Sequence, residues 1–532
     1  MIDILIKNGL VADGSGAPAY RGNIAISDGK IADGHAPDST PARQTIDASG
    51  CIVCPGFIDH HCHSDLNALV DPAGSNQLLQ GVTTEVGGNC GISLVPSMGK
   101  VSMECLAVLP HVTQEQLQEL AAAGQDTTSL MRAMQAQGMG LNMGCYVGHG
   151  AIRQAVMGYD PAAPSDEQID KMCALLRGEM ERGALGLSSG LIYPPGIFAT
   201  QREMQALCRV VKQYGGTYTT HMRSESDQIL AAMDEAMETA GETGVTLVLS
   251  HHKITGRRNW GLSEQTLGKV DAYRAAGHEI YLDQYPFCAG ATRLLSTIPK
   301  CFLMETPPVV IKRLGDRDYR MQVRRSIEGD AHGENLVRDS GGLAHVVVGF
   351  VPGRPELSGL SVQQCAELSH KDPFDCLFDL IADSQGAAQG IYFVQGEEDL
   401  KRILRHPLVA IGTDGGHSSG CNIMGHPRVV ASFPRVLLYA RDEKLFAPEE
   451  AIRKMTSLPA QASHLTHKGL LQAGYDADVN VIDYQHLSVG ADYAHPGEPN
   501  AGFRAVIVNG AVAVRSDAYT GEKAGRPVLH TS

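Results

Sequence analysis

The chain has 532 residues, 43% of them hydrophobic and 19% charged, the proportions of a globular protein too long for one ordinary core. A net charge of −15 with no basic run argues against nucleic acid and anionic membrane as partners, while leaving room for an anionic small molecule in a locally positive pocket. An acid, Asp3, stands where a signal peptide would be cationic, no run of about 18 apolar residues could span a bilayer, and the 13 cysteines lack framework spacing, so the expectation is a cytoplasmic protein with reduced thiols.

Residues 1–54 read as small β structure. Asp3 to Ile6 and Asn23 to Ile26 are β-prone, and Asn8-Gly9, Asp13-Gly14, Asp28-Gly29 and Asp33-Gly34 punctuate them as turns. From Cys51 the rhythm changes to strand and helix in alternation. Strand candidates are Cys51 to Ile58, Val82 to Val86, Met143 to Val147, Ala184 to Leu187, Gly216 to Thr220, Val245 to Leu249, Glu279 to Leu282 and Leu408 to Ile411. Helical patterns lie between them at Ser165 to Glu181, where Ser165 and Gln168 form a capping box, and at Gln201 to Tyr214, Ser226 to Gly241 and Ser263 to Ala276. Residues 290–405 interrupt this order and contain a helical run from Ser361 to Asp383. Near the end, Ala477 to Asp483, Arg504 to Val508 and Ala511 to Val514 are strands again, the last two joined by Asn509-Gly510.

The pattern predicts an α/β fold, a (β/α)8 TIM-like barrel with a small accessory sheet built from both chain termini. Residues 1–54 and 471–532 would form the accessory part and 55–470 the barrel, with an insertion at 290–405 acting as a lid or subdomain. Such a barrel places its active site at the C-terminal strand ends. There the sequence puts His61 and His63, Cys90, His149, Ser188 and Ser189, His221 with Arg223 and Glu225, His251 with His252 and Lys253, Asp283 with Tyr285, and Asp414. Taken singly, His221 or His251 is an ordinary core histidine, Cys90 a small buried hydrophobe and Asp414 a turn cap. Taken together, imidazole, thiolate and carboxylate suit Zn²⁺. Glu85, inside an apolar strand, requires a partner; His149 and Arg153 are candidates either for it or for the site.

The words PGFIDHHCH (55–63), QGVTTEVGGNCGIS (80–93), VGHGAIRQAVMG (147–158), GALGLSSGLIYPPG (183–196), THMRSES (220–226), SHHK (250–253), GTDG (412–415), HPR (426–428), FPRVL (433–437) and MTSLPA (455–460) run nearly the whole length of the chain. In them the chain resembles the amidohydrolase superfamily, and within it the N-acyl-D-amino-acid deacylases (D-aminoacylases). The resemblance implies zinc-dependent hydrolysis of N-acyl-D-amino acids and, through GLLQAGYDADVNVID (469–483), that the accessory sheet is a small β-sandwich. Cys90, His221 and His251 would hold a tightly bound zinc, and His61, His63 and Asp414 would flank a second, weaker position. Asp414 would be general base and then acid, and Arg428, Lys253 and Tyr285 would bind the substrate α-carboxylate. The fourth strand carries no lysine to bridge two metals, and in the resembled family a cysteine placed like Cys90 takes that role. Two words depart from the family: Tyr285-Pro286-Phe287 followed by Ala289-Gly290-Ala291-Thr292-Arg293, and Val429-Val430-Ala431-Ser432 after Arg428. Both fall on the substrate side. Arg293 either reaches the pocket and favours an acidic or polar substrate, or is an exposed arginine on the insertion. The rival readings are a cyclic-amide hydrolase of the hydantoinase or dihydroorotase type, an isoaspartyl-dipeptidase-like peptidase, and a metal-free barrel serving as a scaffold.

Overall fold

The computed structural model describes residues 1–99, 105, 112–329, 334–418 and 425–530. Strands from both ends of the chain build one nine-stranded sheet. Ile2–Val11 pairs antiparallel with Tyr20–Ser27, and Val479–Ile482 lies antiparallel between Ile52–Pro55 and Phe503–Val508. The buried alternate residues Ile4, Ile6, Ile24, Ile26, Val479 and Val481 form its core.

The predicted strand from Cys51 to Ile58 is two strands. Ile52–Pro55 belongs to the terminal sheet, whereas Phe57–Asp59 pairs parallel with Val82–Gly87. The break falls at Gly56, where a Cβ would lie 2.1 Å from the Thr83 hydroxyl oxygen. A run that is apolar throughout gave no hint that it changes sheets midway.

Parallel strands then follow in chain order. Phe57–Asp59, Val82–Gly87 and Asn142–Cys145 form one arc. Val147–Gly148, Gly186–Gly190, Thr217–His221, Thr246–Leu249, Ile280–Gln284 and Val409–Ile411 form the other, all in parallel register. Only Tyr146 separates the arcs at one side. At the other, no strand ladder joins Val409–Ile411 to Phe57–Asp59 among the described residues. The link there lies beyond the strand ends: the Asp414 amide donates to the His61 carbonyl at 2.8 Å, and Thr413 donates through its amide (3.0 Å) and hydroxyl (2.5 Å) to the Asp59 carboxylate. A side-chain carboxylate thus stands in for ladder hydrogen bonds.

The helices follow their sequence signals. Ser165 caps Asp166–Glu181 in a capping box with Gln168, and Ile169, Met172, Leu176 and Met180, three or four apart, bury one face against the strands. The expected run from Ser361 to Asp383 is two helices, Val362–Ser369 and Pro373–Asp383, because His370 turns left-handed (φ 52°) and Asp372 with Pro373 starts a new N-terminus. Gly290–Arg293, Gln389–Tyr392 and Val346–Phe350 make a small antiparallel sheet with an apolar core of its own. No helix among the described residues is long and apolar enough to cross a membrane.

Candidate active site

The chain after Phe57–Asp59 carries His61 and His63 into one site. After Val82–Gly87 it must reverse sharply to deliver Cys90, and the Gly-Gly-Asn-Cys-Gly sequence is what makes that turn. Gly88 (φ 75°) and Gly91 (φ 71°) flank Cys90, itself left-handed at φ 53°. A Cβ at Gly88 would lie 2.1 Å from the Tyr146 carbonyl oxygen, and one at Gly91 2.6 Å from the Gly190 nitrogen. Buried Asn89 pins the turn by donating to the Val86 carbonyl at 2.9 Å and the Cys62 carbonyl at 3.3 Å. His251 (φ 33°) and Asp414 (φ 47°) share the left-handed geometry. Such a conformation costs a non-glycine residue about 1–3 kcal/mol and persists where the surroundings hold it.

These turns bring the donors together. Cys90 Sγ lies 3.4 Å from His61 Nε2 and 3.3 Å from His251 Nε2. One donor atom each from Cys90, His221 and His251 falls within 4.8 Å of the others, and so does one each from His61, His63, Cys90 and Asp414. Cys90 therefore belongs to both sets. Asp414 Oδ1 is 3.2 Å from His63 Nε2 and 3.6 Å from His61 Nε2. Among the described residues, neither ring nitrogen of buried His221 has a hydrogen-bond partner, a state that an imidazole reaches when a metal is its missing partner. Burial opposes ionisation of Cys90, yet the charges of His251 and His61 hold its thiol well below the ordinary range. Burial likewise raises Asp414, but Arg428 and His251 hold its carboxyl well below the usual value. A thiolate, imidazoles and a carboxylate at this spacing fit a divalent ion such as Zn²⁺.

Carboxylates behind the donors set their orientation. His61 Nδ1 is 3.0 Å from Asp283, and the same aspartate accepts from the His251 amide at 2.7 Å. Glu225 Oε1 lies 2.8 Å from His251 Nδ1 and accepts from Lys253 Nζ at 2.5 Å. Each leaves the Nε2 of its histidine facing Cys90 and so orients the ring. From sequence, Glu225 and Asp283 stand at strand ends without a role; the signal for Glu225 is its place four residues after His221, and nothing local marks Asp283. His252, the other member of the pair, turns away to the Thr266 hydroxyl at 2.9 Å.

The donors open into a cavity of about 110 Å³ that Lys253, Tyr285 and Arg428 also line. Arg428 is fully buried, donates to Asp414 Oδ2 at 2.7 Å and the Ala291 carbonyl at 3.2 Å, and stacks 4.8 Å over the Tyr285 ring. Lys253 Nζ is 5.8 Å from the same ring. Tyr193, in a quoted word but assigned nothing, meets His221 edge-on at 5.1 Å. Arg293 is buried and lines the cavity, so the exposed alternative does not hold. Glu85 finds neither of its anticipated partners: it accepts from Ser64 at 2.7 Å and pairs with His417 at 2.6 Å. His149 (2.8 Å) and Arg153 (2.6 Å) pair instead with Glu203, on the helix Gln201–Gln213.

A family model described as the amidohydrolase family matches residues 44–514. The chain is 34% identical to D-aminoacylase of Alcaligenes xylosoxydans xylosoxydans, over 100% of this chain and 98% of that one. It is equally 34% identical to the N-acyl-D-glutamate deacylase of the same organism, over 99% of this chain and 96% of the relative. Among solved structures, the N-acyl-D-glutamate deacylase of Bordetella bronchiseptica, complexed with zinc and a phosphonate mimic of the tetrahedral intermediate, aligns at a TM-score of 0.82 with 31% identity, over 100% of both chains.

Proposed function

This chain belongs to the amidohydrolase family, and from that premise we propose that it hydrolyses the amide bond of N-acyl-D-amino acids, releasing a carboxylic acid and a free D-amino acid. The observation that carries this reading is the pair of donor sets sharing Cys90, beside Asp414 and a cavity walled by cations. The D configuration and the linear amide rest on the relatives, which are N-acyl-D-amino-acid deacylases.

Cys90, His221 and His251 would hold the tighter zinc, and His61, His63 and Asp414 would flank a second, weaker position. Zinc bound there would lower the pKa of water and act as a Lewis acid for the amide carbonyl. Asp414 takes the proton of the attacking water and returns it to the leaving nitrogen. Arg428, Tyr285 and Lys253 receive the α-carboxylate, the guanidinium fork offering it two parallel hydrogen bonds. The arriving carboxylate competes with Asp414 for Arg428, so binding itself frees Asp414 for proton transfer. With Asn142–Cys145 and Val147–Gly148 counted as one strand interrupted at Tyr146, the two arcs close as an eight-stranded barrel. Residues 1–54 and 471–532 form one accessory unit, and 290–405 form an insertion that roofs the strand ends. Free thiols at all 12 described cysteines support a cytoplasmic location.

The test is amine release from paired D and L N-acetyl amino acids by the zinc-loaded protein, with a hydantoin and a dihydropyrimidine as controls. Turnover of D substrates alone, abolished in Asp414→Asn, is expected. Turnover of the rings alone would overturn the linear-amide reading in favour of a cyclic-amide hydrolase.

A further inference from the structure

Two cavities meet beside the donors. The one at the donors, about 110 Å³, adjoins another of about 570 Å³, and Ile192, Tyr193, Arg293, Glu334 and Leu336 line both. The larger falls within the range of about 300–1,000 Å³ that small-molecule pockets occupy.

Its wall is aliphatic. The chain after Gly186–Gly190 supplies Leu191, Ile192 and Ile197, and Leu295, Ile298 and Leu303 come from the apolar core of the small antiparallel sheet. Met304, 49% exposed, stands at the rim. Beyond the junction the charged side chains are spoken for. Arg223 donates to Glu235 at 2.8 Å and to the Ile197 and Ala199 carbonyls at 2.9 and 3.1 Å, and Lys300 is exposed to solvent. Arg293 and Glu334 stand at the junction itself. Burial and the Glu225 charge push the Glu334 carboxyl up to about 8, which leaves it neutral at neutral pH. Water between such walls finds few polar partners, so an alkyl chain that displaces it is favoured.

We propose that the larger cavity receives the acyl group of the substrate, so that this enzyme prefers a straight medium-chain acyl group such as octanoyl over acetyl. The inference rests on the deacylase reading and deepens it. With its α-carboxylate on Arg428 and its amide at the donors, the substrate turns its acyl group along the wall that carries Ile192 and Tyr193. Tyr193 lies edge-on to His221 at 5.1 Å, beside the place where the carbonyl is held. An acetyl group ends there, and a longer chain continues past Leu336 into the larger cavity.

The experiment measures kcat/KM of the zinc-loaded enzyme for the N-acetyl, N-butyryl and N-octanoyl derivatives of the D-amino acid it turns over best, and for the N-acetyl derivative of a D-amino acid with an octyl side chain. Burying one methylene is worth about 4-fold, from about 0.8 kcal/mol. With half of the six extra methylenes buried, the octanoyl substrate should exceed the acetyl one by about 60-fold, with butyryl between them. Ser326, on the helix Arg317–Glu328, lines the larger cavity but not the one at the donors. Ser326→Phe should fill that space and lower the octanoyl-to-acetyl ratio at least about 10-fold, whereas Ser326→Ala should keep it. Zinc content and thermal unfolding establish that each variant is folded, and the parental ratio needs no variant. A parental ratio below about 10-fold, a ratio that Ser326→Phe leaves unmoved, or a gain confined to the octyl side chain would overturn the inference while leaving the deacylase reading intact. No turnover of any N-acyl-D-amino acid would overturn both.

Discussion

Replacing Glu225 with glutamine tests whether the carboxylates behind the donors control the metal. The change keeps the shape and removes the charge that lies 2.8 Å from His251 Nδ1 and 2.5 Å from Lys253 Nζ. Burial raises the Glu225 carboxyl, but Lys253 and His251 together hold it well below the ordinary value, so the group is ionised at neutral pH. Two losses follow from its removal. His251 loses the charge that orients its ring towards Cys90, which should weaken zinc binding about 10–100-fold, equivalent to about 1.4–2.8 kcal/mol. Lys253, with a side chain 6% exposed, becomes a buried cation without a counter-charge, and breaking such a pair costs about 3–5 kcal/mol of stability. Competition titration against a zinc chelator reads the first loss, and denaturant unfolding of the zinc-free protein reads the second. The double variant Glu225→Gln, Lys253→Met should regain much of the stability and none of the zinc affinity. A Glu225→Gln enzyme that keeps parental zinc affinity within about twofold would refute the reasoning, since it would leave the orienting carboxylate without the effect assigned to it.

Cys90→Ser removes the donor common to both sets, so zinc content should fall to near zero by elemental analysis, whereas His63→Ala, which touches one set, should retain the tighter ion. Removing zinc from the parent should lower its unfolding temperature, because ligand at 100 times its Kd stabilises by about 2.7 kcal/mol; an unchanged unfolding curve after chelation would count against a resident metal. Burial raises the Glu203 carboxyl, but His149 and Arg153 bring it below the ordinary glutamate value. The unfolded state therefore takes up the proton first as pH falls, so the stabilisation is complete above about pH 4.3 and is lost as pH drops through the folded-state value. Glu203→Gln should flatten that acid limb in a plot of unfolding free energy against pH, and should also cost about 3–5 kcal/mol at neutral pH by stranding Arg153.

The sequence by itself determined what short-range chemistry dictates. The spacing of His61 and His63, the glycines around Cys90 and the capping box at Ser165 each encode a local geometry, and each element formed where that geometry required it. So did the order of parallel strands, because an apolar run between helical patterns has few other places to go. Tertiary structure alone decided the partners. Cys51 to Ile58 looked like one strand because apolarity does not say which sheet will bury it; Val479–Ile482 claims its first half and Val82–Gly87 its second. Glu85 drew His417, and His149 drew Glu203, across 332 and 54 residues of chain. Arg293 carried no local mark of burial, and only the fold of the insertion places its charge at the joint wall of two cavities. A dihedral preference is settled within a few residues, but the counter-ion of a buried charge is settled by which strand ends converge, and that is a property of the whole chain.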